Sequence, residues 1–157
     1  MKKTILLAVD ATSHVSAAAE MTRELCRDSG DDVIVLHVHE FAVGRWGRMQ
    51  VDCHEGEGES VVAEIVADLK SAGVTADGDI REAQFGHVAR SILAAADQYD
   101  ARIVVLGSSS RSDMPHLPFG SVSHRLLHLA RRPVLIVPKP SAASESVPKP
   151  GSATAVA

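Results

Sequence analysis

Two short stretches, Val105-Leu106-Gly107-Ser108-Ser109-Ser110 and Phe119-Gly120-Ser121-Val122-Ser123, hold the residue types best suited to gripping an anion. Gly107 lets the chain turn sharply off a strand and brings backbone close to a ligand. Gly120 opens a helix, and the first amides of a helix have no partner within it. Those amides and the positive end of the helix dipole suit a phosphate group, and Ser121 and Ser123 add hydroxyls at the same end. The plainer alternative is that Gly107 is only a turn and Ser121 only an N-cap. No Gly-Lys-Ser or Gly-Lys-Thr occurs, so this is not a Walker A loop, and no strand-linked G-x-G-x-x-G is present.

Other reactive side chains have structural roles open to them as well. His37 and His39 stand two apart on a strand and share a face, with Cys53-His54 downstream, but the spacing matches no strong zinc motif. His124 and His128 are four apart on a helix and could face one metal. The Glu of H-E-x-x-H is missing, however, and His128 suits a helix C-terminus, so a surface role is expected and no metal site is assigned. Trp46, between Arg45 and Arg48, could stack on a base or anchor a partner, and Arg111 could reach a phosphate. Cys26 reads as a core residue. Ser110, Ser121 and Ser123 have no evident histidine base and no G-x-S-x-G elbow occurs, so no catalytic residue is assigned.

The elements that must position these groups follow from hydrophobic patterning. Ile5 to Val9, Val33 to Val38, Ile103 to Leu106 and Val134 to Val137 read as buried strands, and Val74 to Ala83 as a weaker one interrupted by Asp77 and Gly78. Helices are expected from Val15 to Leu25 behind a Thr12 or Ser13 cap and a Gly30 stop, from Val61 to Leu69 ending at Gly73, from Val88 to Ala96, and from Ser121 to Ala130. Residues 40 to 56, with Gly44, Gly47 and Gly56, read as a long polar loop acting as a flap or disordered. Alternating strands and helices predict an α/β fold, a five-stranded doubly wound parallel sheet with helices on both faces. Ligands of such sheets sit at the carboxyl ends of the strands, here Val9-Asp10, Val38-His39 and Leu106-Gly107.

The 157 residues suffice for one hydrophobic core, filled by aliphatic side chains because aromatics are only 3%. A formal net charge of −4 without a basic patch argues against nucleic acid. Two cysteines are too few for a disulfide scaffold, and no apolar run approaches a membrane span. A cytoplasmic location is the resulting expectation. The domain is expected to cover 1–138, and the Ser/Ala/Pro-rich 139–157 to be a disordered tail.

Across roughly residues 3 to 138 the chain resembles the universal stress protein family. The resemblance is carried by Ile5-Leu6-Leu7-Ala8-Val9-Asp10, by Leu36-His37-Val38, and by Val104-Val105-Leu106-Gly107 through Gly120-Ser121-Val122-Ser123 to Arg132-Pro133-Val134-Leu135-Ile136-Val137-Pro138. The family's ATP-binding pattern is a Gly, two residues, a Gly, nine residues, then Gly-Ser or Gly-Thr; Gly107, Gly120 and Ser121 match it with the spacing intact. Ser110 replaces the second Gly. If that position needs a positive φ, serine costs about 1–2 kcal/mol there, which would favour AMP or ADP over ATP; equally, its hydroxyl could replace the lost contact.

The resemblance implies an adenine nucleotide alpha hydrolase-like arrangement and a role in stress response, with ATP, ADP or AMP as ligand, with or without Mg2+. It places Asp10 near the ribose, Ala8 and Val9 along the adenine, the backbone of Val38 at the adenine edge, and Leu106 beneath base or sugar. It places Gly107, Ser110, Gly120, Ser121, Val122 and Ser123 around the phosphates and ribose. It further implies a homodimer through Val134, Leu135, Ile136 and Val137, and at most slow ATP hydrolysis. The rival expectation is the same fold acting as a protein-interaction dimer without nucleotide. A flavin- or pyrophosphate-processing relative of the same architecture ranks last.

Overall fold

The computed structural model describes residues 2–11, 17–51, 56–108 and 120–138. Its elements are β1 (Thr4–Val9), α1 (Ala17–Ser29), β2 (Asp32–Gly44), β3 (Gly47–Gln50), α2 (Glu57–Ser71), β4 (Ala76–Gln84), α3 (Val88–Gln98), β5 (Ala101–Gly107), α4 (Gly120–Leu129) and β6 (Val134–Val137). Five strands are parallel, in the order β4-β2-β1-β5-β6. The chain builds outward from β1 through β2 to β4, then crosses to β5 and β6 on the other side. The strand order therefore reverses between β1 and β5, which is the switch point of a doubly wound sheet.

The alternation of side chains along each strand separates two cores. Ile5, Leu7 and Val9 of β1, with Val33, Val35 and Val105, pack against Ala18 and Cys26 of α1 and Val61, Val62, Ile65 and Leu69 of α2. Leu6 of β1, with Leu36, Val38, Val104 and Leu106, packs against Ala89, Ile92, Ala95 and Ala96 of α3 and Leu126 of α4. Both faces are buried, which is why the strands read as continuous aliphatic runs rather than alternating ones.

Two local features explain what the sequence pattern left ambiguous. Gly78 stands within the unbroken β4 because α2 crosses there: a Cβ at this position would lie 2.6 Å from Val62 Cγ1. Gly30 and Gly73 close α1 and α2 at φ 70° and 83°, as expected of residues following a helix.

The segment expected to be a long loop is instead a β-hairpin, so the sheet has a sixth strand. β2 continues to Gly44, turns over Arg45-Trp46, and returns antiparallel as β3, with Phe41 opposite Gln50 and Gly44 opposite Gly47. Apolar residues spaced by two, Phe41 with Val43 and Met49 with Val51, favour extended backbone within a polar stretch. Gly47, at φ 109°, supplies the positive φ that closes so short a turn. Residues 52–55, and with them Cys53 and His54, lie outside the described residues, as do the 139–157 segment and Thr12 and Ser13.

Candidate functional site

The strand ends at the reversal carry small or polar side chains. In the parallel register Ala8 lies beside both Leu36 and Leu106, and Gly107 beside Val137. Ala8 is half-buried, Asp10 is exposed just past the end of β1, and Gly107 is exposed at the end of β5. Among the described residues a Cβ at Gly107 would meet nothing within 4 Å, and its φ is not positive. Neither backbone conformation nor packing against the described residues accounts for glycine there.

Strand geometry divides the expected adenine-lining residues. Ala8, Val38 and Leu106 share the face covered by α3 and α4. The side chain of Val9 points to the opposite face, into the core beneath α1 and α2, so Val9 can meet a ligand on the α3/α4 side only through its backbone.

Gly120 is buried at the mouth of α4 with φ 75°. An L-residue there carries a penalty of about 1–2 kcal/mol, so the glycine matched by the motif answers a conformational need. The amides of Ser121, Val122 and Ser123 follow in the first turn, where a helix supplies no internal acceptor. Ser121 is exposed, Val122 packs partly against the α3/α4 core, and Ser123 is buried. Ser110 and Arg111 lie outside the described residues.

Midway along β2, level with the end of β1, a second group of polar residues occupies the other face. His37 is buried and its Nδ1–H donates to the Val9 carbonyl at 2.9 Å. His39 Nε2 lies 3.1 Å from Glu59 Oε1, and the Gln50 amide 3.3 Å from His39 Nδ1. The two imidazoles meet edge to face at 4.7 Å. They fit because α2 offers Gly58: a Cβ there would fall 2.2 Å from His37 Cδ2 and 2.8 Å from His39 Cε1. The Glu59 backbone amide in the first turn of α2, and beyond it His39, hold the Glu59 carboxyl below its usual range against the opposing effect of burial. Among the described residues no group of three or more His, Cys, Asp or Glu side chains is placed to hold a metal ion.

Sequence reasoning did not find the contacts that hold α4 and its surroundings. Arg125 of α4 donates to the Gly86 carbonyl, and the Gly86 amide donates to Glu40 Oε1 at 2.9 Å, so the β4–α3 loop is fixed between α4 and β2. Arg132 donates to the Ala96 carbonyl at 2.9 Å and also bonds the Ala101 carbonyl and Asp97, tying the entry of β6 to the end of α3. No local pattern marks either arginine, because the partners lie 39 and 36 residues away.

With this architecture and motif in place, comparison with known proteins identifies the family: the universal stress protein family model matches residues 1–138. The chain belongs to the universal stress protein family. The "Stress response protein NhaX" of Bacillus subtilis (strain 168) is 37% identical over 84 residues, which span 54% of this chain and about half, 49%, of that protein. A universal stress protein from Archaeoglobus fulgidus superposes with a TM-score of 0.67 at 21% identity, covering 87% of this chain and 99% of that one. A universal stress protein from the same organism, solved in complex with dAMP, superposes with a TM-score of 0.62 at 17% identity, over 87% and 98% of the two chains. At these identities the solved structures establish a shared fold. Within the universal stress protein domain, the matched motif residues Gly107, Gly120 and Ser121 stand at the end of β5 and the start of α4.

Proposed function

We propose that this universal stress protein binds an adenine nucleotide across the β1–β5 reversal and acts as a cytoplasmic homodimer in stress response. The observation that carries the reading is Gly120, held at φ 75° at the opening of α4, with Gly107 and Ser121 at the family spacing from it. It turns the first amides of α4 into an anion site. In this reading Gly107, Ser110, Ser121, Val122 and Ser123 surround the phosphates. Asp10 accepts the ribose hydroxyls through charge-assisted bonds. Ala8, the Val9 backbone, Val38 and Leu106 frame base and sugar. The dAMP complex of the Archaeoglobus fulgidus relative supports the ligand class, and Cys26 as a free buried thiol fits a reducing compartment. Mg2+ would accompany a triphosphate. Turnover is expected to be slow at most, since no lysine occurs between Gly107 and Ser123.

The dimer reading rests on β6. It pairs with β5 on one side and ends the sheet, and its Val134, Leu135 and Ile136 remain half-buried. A short apolar edge strand invites a second copy.

The deciding experiment is calorimetry and thermal shift with ATP, ADP and AMP, with and without Mg2+. A ligand at about 100 times its Kd adds about 2.7 kcal/mol to stability. No shift at millimolar nucleotide would support the rival reading of an interaction dimer without nucleotide. That reading is favoured by Ser110 at a glycine position and by Trp46, 96% exposed at the hairpin tip.

A further inference from the structure

We propose that His124 and His128 on α4 form a two-point chelate for a divalent late transition metal such as Zn2+, independently of nucleotide. The two residues are one helical turn apart on the exposed side of α4. Their rings meet at 4.6 Å, and the two Nε2 atoms face each other at 3.4 Å. Two zinc–nitrogen bonds of about 2.0–2.1 Å at a tetrahedral angle place the nitrogens about 3.3 Å apart. The separation is thus the one a single ion would bridge, after a small rotation of two exposed rings.

His128 also lies in the last turn of α4, where the negative end of the helix dipole favours a cation. Arg125, the nearest cationic neighbour in sequence, is drawn away to the Gly86 carbonyl. Imidazole pairs suit zinc, copper and nickel rather than magnesium or calcium. Two protein donors leave the remaining positions to water or to a donor from another molecule. Without metal, the pair shares one Nε2–H···Nε2 hydrogen bond.

The test is a Zn2+ titration of the full chain followed by NMR of the imidazole ring protons, alongside calorimetry. The His124 and His128 signals should shift together and saturate at one zinc per chain. His124→Gln and His128→Gln should each weaken that step by at least the roughly tenfold that even an outer-shell loss costs, with thermal midpoints unchanged because both side chains are exposed. In His124→Gln, the His128 ring should no longer respond at zinc levels that saturate the parent. The proposal is overturned if the two rings respond at different zinc concentrations, if either single variant binds as tightly as the parent, or if zinc is taken up only by others of the eight histidines.

Discussion

On either side of the carboxyl end of β1, the middle of β2 and the end of β5 are finished differently. Midway along β2, level with Val9, the chain fills its own corner: His37 and His39 are pressed against Gly58, with His37 bonded to the Val9 carbonyl and His39 beside Glu59. At the end of β5 Gly107 is exposed, with no atom of the other described residues within 4 Å of where its Cβ would lie, and half-buried Ala8 lies close by on β1. Both corners use glycine, for opposite reasons. Gly58 is small because protein occupies the space beside it. Gly107 is small where no described protein atom demands it, which leaves room for the proposed ligand.

The largest expected effect is on the proposed nucleotide corner. Gly120→Asp puts a negative charge at the mouth of α4 and should weaken nucleotide binding at least about 100-fold, about 2.7 kcal/mol, by calorimetry. Gly120→Asn is its control, since Asn also tolerates a positive φ but carries no charge. Equal losses in the two variants would mean that shape rather than charge is sensed, and would remove the phosphate from the reading.

A change remote from both corners calibrates stability alone. Asp31 is buried, accepts from the Lys3 amide at 2.9 Å and pairs with Arg102. Burial pushes its carboxyl up, but the Lys3 amide, Ser29 and Arg102 together outweigh this and hold it below the usual carboxylate range. A carboxylate whose pKa is lower folded than unfolded contributes stability above its unfolded value, about 3.9, and loses it as pH falls through the folded value. Asp31→Asn should therefore cost about 2 kcal/mol at pH 7, in urea unfolding, with the gap to the parent closing in acid. A gap independent of pH would show that packing, not charge, holds this point.

The two glycine corners are then separated by matched substitutions. Gly58→Ala should lower stability by about 1 kcal/mol net, the clash with His37 exceeding the gain in helix propensity. It should affect nucleotide affinity less than Gly107→Ala does. Gly107→Ala should leave stability within about 0.5 kcal/mol while weakening nucleotide binding about tenfold, 1.4 kcal/mol. The reverse pattern, with Gly107→Ala destabilising and Gly58→Ala silent, would erase the contrast between the corners.

The smallest effect concerns Cys26, buried in the core under α1 near Asp31. Burial, and then the nearby Asp31 carboxylate, push its thiol up to about 11, so little thiolate exists at neutral pH. Alkylation of Cys26 should proceed no faster than unfolding, followed by mass spectrometry of the modified peptide. Fast labelling in the native protein would show that the α1 side of the sheet opens.

Much of this was legible in the residues themselves. Aliphatic runs such as Ile5 to Val9 and Ile103 to Leu106 mark strands buried on both faces, and Gly30 and Gly73 mark helix ends, because these signals depend on neighbours within a turn or a few residues of the strand. The Gly107–Gly120–Ser121 spacing likewise lies within one crossover. The hairpin from Phe41 to Gln50 was hidden, since its polar and glycine-rich composition resembles a loop until pairing supplies its hydrogen bonds.

What only the tertiary structure decided is which face each group serves and what stands across from it. Alternation sends Ala8 and Val9 to opposite sides of the sheet, and Gly58 reveals its purpose only when β2 brings His37 and His39 against α2. Arg125 and Arg132 acquire partners on loops and helices dozens of residues away. A sequence records local preference, whereas contacts at long separation exist only once the crossovers have brought the strands side by side.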